Sequence, residues 1–207
     1  MSPIAAPLPP LCSIESRWHQ APDGVRLEVL FAAAAPPPSA EAAGAAEPSP
    51  KPPLLLLHGA FHGAWCWAEH FLPFFAAAGY DSYALSLRGH GGSEVGEQHP
   101  PGATGTLSQH LEDIASFIAA LGSPPVLLAH SIGGLFAAAY AGQAAAGRRP
   151  PLAGLALLAA TPPSGTASII RRELWHQPLQ VLRIGWCACP LSALPCQAVE
   201  GVGRWCI

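Results

Sequence analysis

The sequence predicts an α/β fold, a mostly parallel sheet with helices on both faces. Two observations carry this. Short unbroken apolar runs of strand length, Leu54–Leu57 and Val126–Ala129 above all, are bounded by Pro or Gly and do not alternate with polar residues. That is the pattern of strands buried on both sides. Between these runs the apolar residues recur at helical spacing. Strand and helix therefore take turns along the chain, a rhythm that builds parallel sheets.

Residues 1–20 read as a tail. Ala21-Pro22-Asp23-Gly24 is a turn signal, and Val25–Phe31 alternates like an antiparallel edge strand. Residues 32–51, rich in Ala, Pro, Ser and Glu, read as a low-complexity surface loop within a core domain of residues 21–165. After Leu54–Leu57, the apolar spacing from Trp65 to Ala78 predicts one helix, stopped by Gly79. Ser82–Leu87 is the next strand, followed by the loop Arg88-Gly89-His90-Gly91-Gly92-Ser93. Thr106 caps a helix with Leu107, Leu111, Ile114, Ile118 and Leu121 on one face, and Gly122 ends it. Pro124-Pro125 leads into the run Val126–Ala129, and a small-residue helix follows over Leu135–Ala146. Leu152–Ala160 reads as a further strand because prolines flank it. Residues 166–207 read as the start of a helical cap passing into a divergent tail.

Half the residues are hydrophobic, only 11% are charged, and the net charge is −3. Such a balance gives no footprint for nucleic acid or an anionic membrane. No apolar run reaches the 18 residues or so of a membrane span. Of 6 cysteines, Cys187, Cys189, Cys196 and Cys206 lie in the tail, without a recognised ligand spacing, and Cys66 lies alone in the core. No metal and no cofactor is expected. A reducing compartment follows: the cytoplasm, with plastid or mitochondrion open because acids are absent before Glu15.

The chemistry gathers where the strands end. Strand, sharp turn bearing Ser131, then helix is the form of a nucleophile elbow, here Ala129-His130-Ser131-Ile132-Gly133. Small flanks such as Gly133 matter because the turn is tight. Ala129 stands where the usual pattern has Gly. His58-Gly59 follows the preceding core strand and Arg88-Gly89-His90-Gly91 the next. The three motifs in order resemble the α/β-hydrolase superfamily, in its lipase/esterase-like branch of bacteria and plants, over about residues 22–165. The stretch around His62-Gly63-Ala64-Trp65-Cys66-Trp67 is also similar to plant methylesterases and hydroxynitrile lyases.

The resemblance implies Ser131 as nucleophile, with the backbone N–H groups of Ile132 and Ala60 forming an oxyanion hole and Gly59 allowing the close approach. His58 is expected to fix its loop by a hydrogen bond, and Arg88 and His90 to brace theirs. His130 is expected to point away along the elbow. Phe61, Trp65 and Trp67 either line an apolar acyl pocket or pack the first helix. The family order is Ser, then Asp or Glu, then His. After Ser131 the chain has no aspartate; its acids are Glu173 and Glu200 and its one histidine is His176. The family pattern is thus C-terminally truncated. Two functions are compatible: a serine hydrolase of ester or related acyl substrates, small molecules, or a catalytically inactive hydrolase-like binding protein.

Overall fold

Leu54–Leu57 forms β3, and its four leucines divide the interior, because successive side chains of a strand point to opposite faces. Leu55 and Leu57 join one buried cluster, Leu54 and Leu56 another. The computed structural model describes residues 13–36, 51–97, 99, 103–162, 171–172 and 175–176. The chain divides into two compact units, Met1–Pro163 and Ser164–Ile207. The sheet lies in the first.

The other strands are β1 (Ile14–Gln20), β2 (Arg26–Ala32), β4 (Ser82–Leu85), β5 (Val126–His130) and β6 (Gly154–Leu158). Their order is β1-β2-β4-β3-β5-β6. β4, β3, β5 and β6 run parallel, and β2 joins β4 antiparallel. The helices α1 (Phe71–Ala77), α2 (Leu107–Ala120) and α3 (Ile132–Ala145) cover the two faces. Ile114, Phe117, Ala137 and Tyr140 from α2 and α3 pack with Leu55, Leu57 and Leu127. Leu72 and Ala76 from α1 pack with Leu54, Leu56 and Ala84 on the opposite face. At roughly 1.5–3 kcal/mol for each fully buried leucine, these two layers dominate the stability of the fold. Thr106 caps α2 through a reciprocal pair with Gln109: Gln109 N–H donates to Thr106 Oγ1 (3.3 Å), and Thr106 N–H donates to Gln109 Oε1 (2.8 Å).

Three expectations need correction. Residues 1–20 are not all tail, since Ile14–Gln20 is a strand paired antiparallel with β2. Consequently β2 is an interior strand and β1 the edge. Arg17, lying 3.8 Å above the Phe31 ring, and Arg26, 4.4 Å above Trp18, hold this pairing from the solvent side. The helix expected over Trp65–Ala78 is two pieces, a 3₁₀ turn at Ala64–Trp67 and then α1. β4 also stops at Leu85, two residues short of the run read as strand. Of the expected loop at 32–51, residues 37–50 lie outside the described residues, as does nearly all of the predicted cap and tail. Among the described residues, no helix is long and apolar enough to cross a membrane.

Candidate active site

Ser131 stands between the last residue of β5 and the first of α3, with φ 53° and ψ −119°. Non-glycine residues rarely adopt positive φ, and such strain costs of order 1–3 kcal/mol. Backbone bonds on both sides hold it there. Ser131 N–H donates to Leu158 O (3.1 Å), and Ser131 O accepts from Thr161 N–H (2.9 Å) and Gly134 N–H (3.0 Å). Gly133 lets α3 start against β3: a Cβ there would lie 2.5 Å from His58 O and 3.0 Å from Leu57 O. Ala129 is fully buried in the face that α2 and α3 cover, so a methyl group fits where the usual pattern has Gly.

The loop after β3 lies directly against the elbow. A Cβ on Gly59 would sit 3.1 Å from Ser131 Cβ and 2.8 Å from His130 Nδ1, so only a residue without a side chain fits. His58 is fully buried and uses both ring nitrogens. Nδ1–H donates to Gly59 O (2.7 Å), and Nε2 accepts from Leu87 N–H (2.9 Å). Burial pushes its pKa down to about 4, and neighbouring His90, His62 and His110 reinforce the shift. The ring is therefore neutral at pH 7 with its tautomer fixed, and its nitrogens are occupied in bracing the loop. Because the peptide is trans, holding Gly59 O on one side aims the Ala60 N–H to the other. That N–H has no acceptor among the described residues. Ile132, first residue of α3, belongs to the turn whose N–H groups lack intrahelical partners. Phe61 follows at φ 62°, its side chain 69% exposed.

The loop after β4 is closed on itself. Arg88, 2% exposed, makes a fork to Asp113 (Nε–Oδ2 2.9 Å, Nη2–Oδ1 2.6 Å) and a second to Asp23 (Nη1–Oδ2 2.7 Å, Nη2–Oδ1 3.1 Å). Thus the brace expected of Arg88 reaches beyond its own loop, tying β4 to α2 and to the turn before β2. Arg88 holds the Asp23 carboxyl below its usual range; burial raises Asp113, and the Arg88 fork works against that rise. His90 Nδ1–H donates to Arg88 O (3.1 Å), and its ring packs 5.3 Å from that of His58. On the other side, Glu28 Oε2 accepts from Ser86 Oγ (2.7 Å) and Gly92 N–H (2.9 Å), while Ser86 Oγ accepts from Ala64 N–H (2.7 Å).

The structure therefore brings Gly59 against Ser131 and Gly133 against His58 O, with Ala60 next to Gly59 in its loop and Ile132 next to Ser131 in the elbow, and with His58, Arg88 and His90 bonded within or across the loops they belong to. His130 is not directed away from the loops: its ring rests against Gly59. Trp67 is core, whereas Trp65 is 49% exposed and outside it. Among the described residues, Ser131 Oγ has no hydrogen-bond partner, so no imidazole within that set is placed to take its proton. His176 is a helical, exposed residue of the second unit, and Glu173 and Glu200 lie outside the described residues. Sequence reasoning missed Asp23, Asp113 and Glu28 as supports. Asp113 had a signal, an acid bordering the apolar stripe of α2 next to Ile114; Glu28 had none.

The alpha/beta hydrolase family model matches residues 54–197 of the chain. Methyl jasmonate esterase 1 of Vitis vinifera is 35% identical over 85 residues, 39% of this chain and 30% of that protein. Protein phosphatase methylesterase 1 of Mus musculus is 34% identical over 111 residues, 53% of this chain and 28% of its own length. The aligned part thus spans about a third or less of these curated relatives. Among solved structures, a bacterial membrane phospholipase A is 25% identical with a TM-score of 0.54, covering 72% of this chain and 40% of that one. An epoxide hydrolase from an endophytic Streptomyces is 25% identical with a TM-score of 0.52, covering 70% and 36%. A predicted CIB-like hydrolase from Thermoplasma acidophilum, 17% identical, shares the fold at a TM-score of 0.55 over 77% of this chain and 68% of its own. With a parallel sheet that ends in a serine-bearing elbow, and a family match across most of its length, the chain belongs to the α/β-hydrolase family.

Proposed function

We propose that Ser131 is the nucleophile of a serine hydrolase acting on small ester or related acyl substrates, with the N–H groups of Ala60 and Ile132 as its oxyanion hole. One observation carries the reading: a serine held at positive φ on a strand-to-helix turn, with Gly59 pressed against its Cβ. In the reaction, Ser131 Oγ passes its proton to a base or to water and bonds to the acyl carbon as the carbonyl π pair moves onto oxygen. Collapse of that oxyanion breaks the acyl–oxygen bond, the alcohol leaves carrying a proton, and water then adds to the acyl carbon to release the acid and restore the Ser131 hydroxyl. Donors aimed at the developing charge are worth about 10²–10³ each. The curated relatives are named as esterases, which supports the ester class. A reducing compartment, with the cytoplasm first and plastid or mitochondrion as alternatives, suits Cys66, a free thiol which burial pushes up to about 11 and keeps unreactive.

A second reading, a hydrolase-like protein that binds without turnover, is favoured by the lack of a base bonded to Ser131 Oγ among the described residues. A serine without its base is a weak nucleophile, and the oxyanion hole alone leaves about 10³–10⁴ over water. The experiment is a fluorophosphonate probe on the purified chain beside Ser131→Ala, with an aryl ester assay. Slow labelling confined to Ser131, with weak esterase activity, is the expected outcome. Turnover near ~10 s⁻¹ abolished by Ser131→Ala would show that the chain holds its own base, His176 being the first to test. No labelling at all would leave the binding reading.

A further inference from the structure

We propose that His62 is a positioning residue for the donor loop, joining that loop to an aromatic face that Trp65 offers to the substrate's apolar group. The inference rests on Ala60 acting as an oxyanion donor. His62 does two things at once. Its Nδ1–H donates to Ala60 O (2.8 Å), and its ring stacks on Trp65, with centroids 5.4 Å apart and planes at 25°.

The first contact completes a pair. His58 ties the carbonyl before Ala60, that of Gly59, and His62 ties the carbonyl of Ala60 itself. The His58 hold sets the plane that carries the Ala60 N–H, and the His62 hold sets the next plane, which carries the Phe61 N–H. With both planes set, the two soft dihedrals of Ala60 between them are fixed, and the loop cannot swing about the donor residue. The cost is visible in the next residue. Phe61 is driven to φ 62° with its ring largely in solvent, a conformation that packing does not reward. Strain of this kind persists only where the surroundings over-determine it, and it marks sites of function.

The second contact gives the loop an outer wall. Gly63 leaves no room between the loop and its surroundings: a Cβ there would lie 2.8 Å from Gly91 Cα and 2.9 Å from the Trp65 ring. Trp65 is thus stacked on His62 and lies close against the backbone of Gly63. It presents half its surface to solvent, six positions along the chain from Gly59, whose backbone lies against Ser131. The donor and the aromatic face then move as one body. Unlike the buried His58, His62 sits at the surface, so its hold can be removed without opening the core.

The test uses the full chain and two variants. His62→Phe keeps a ring on Trp65 and removes the donor; His62→Asn restores a side-chain N–H near the Nδ1 position and removes the ring. Amide exchange at Ala64 and Cys66, whose N–H groups are bonded to Ser86 Oγ and Gly63 O, reads the loop, and fluorophosphonate labelling of Ser131 is resolved into probe affinity and reaction rate. Since one hydrogen bond of this type contributes about fivefold to tenfold, His62→Phe should speed exchange at Ala64 and Cys66 and slow the reaction step by about that factor, with affinity within about twofold. His62→Asn should recover the reaction step and weaken the affinity for an aryl-bearing probe. Unchanged exchange at Leu55 and Leu127 in both variants confirms an intact core. Parent-like exchange and labelling in His62→Phe, or equal losses in both variants, would overturn the proposal. Should Ser131 of the parent not react, the nucleophile reading fails, while the exchange data still decide whether His62 sets the loop.

Discussion

Two loops follow neighbouring parallel strands of this sheet, and their sequences look alike. His58-Gly-Ala-Phe-His-Gly63 follows β3; Arg88-Gly-His-Gly-Gly-Ser93 follows β4. Their states differ. In the second loop the side chains are saturated: Arg88 is forked by two aspartates, Gly92 N–H is taken by Glu28, and Gly89 N–H by Glu94 O. In the first, histidines hold two carbonyls while the exposed N–H groups of Ala60 and Phe61 have no acceptor among the described residues, and a phenylalanine is strained into solvent. A loop whose buried side chains are all paired is support, whereas one with open N–H groups at its surface can meet something else.

The largest expected effect probes the saturated side. Arg88→Ala strips the buried Asp113 of its fork and should cost about 3–5 kcal/mol in urea unfolding. Arg88→Lys should recover little, because an ammonium cannot bond both carboxylates in two forks. A loss under about 1 kcal/mol would erase the distinction between the two loops. Next comes pH. Burial holds both His58 and His110 at about 4, below the ordinary 6.5. A depressed folded value means the unfolded chain binds the proton first. Their contribution is therefore full above about pH 6.5 and declines as pH falls through about 4, by up to ~3 kcal/mol each. Urea midpoints between pH 7 and 4 should show it, and His110→Gln should remove one proton's worth of slope. The smallest effect concerns the strained side. Ser131→Gly relieves the positive φ, a gain of about 1–3 kcal/mol less about 0.5–1 for glycine's lost entropy. It should abolish labelling by the probe yet raise the melting temperature by about 2–4 °C. A fall in melting temperature would mean the turn carries no strain.

What could be read from the sequence was what is local. Leu54–Leu57 and Val126–His130 declared themselves because burial on both faces leaves no polar position to interrupt the run. The elbow and the His58-Gly59 loop were legible because their residues are adjacent in the chain. β1 was not, because Glu15, Ser16, Arg17 and His19 give an edge strand the composition of a tail. The break before α1 hid inside continuous apolar spacing, although Pro73 marks it: proline belongs in a helix's first turn, where its missing N–H costs no bond. The Arg88 clamp joins residues 25 and 65 positions apart, a relation no local pattern encodes.

Two of the bonds that hold Ser131 in its unusual turn also impose an order in time. Leu158, which accepts from its N–H, comes 27 positions later in the chain (158 minus 131), and Thr161, which donates to its carbonyl, later still. At the usual pace of synthesis, ~5–20 residues per second, the elbow waits roughly one to six seconds for its restraints. Through that interval the serine is an ordinary residue of a forming turn, free to take a relaxed backbone. Only when α3 has been laid down and β6 has paired with β5 does the chain close around it. The reactive geometry is thus a late product of assembly, and a growing chain does not carry it until the sheet beyond the elbow is in place.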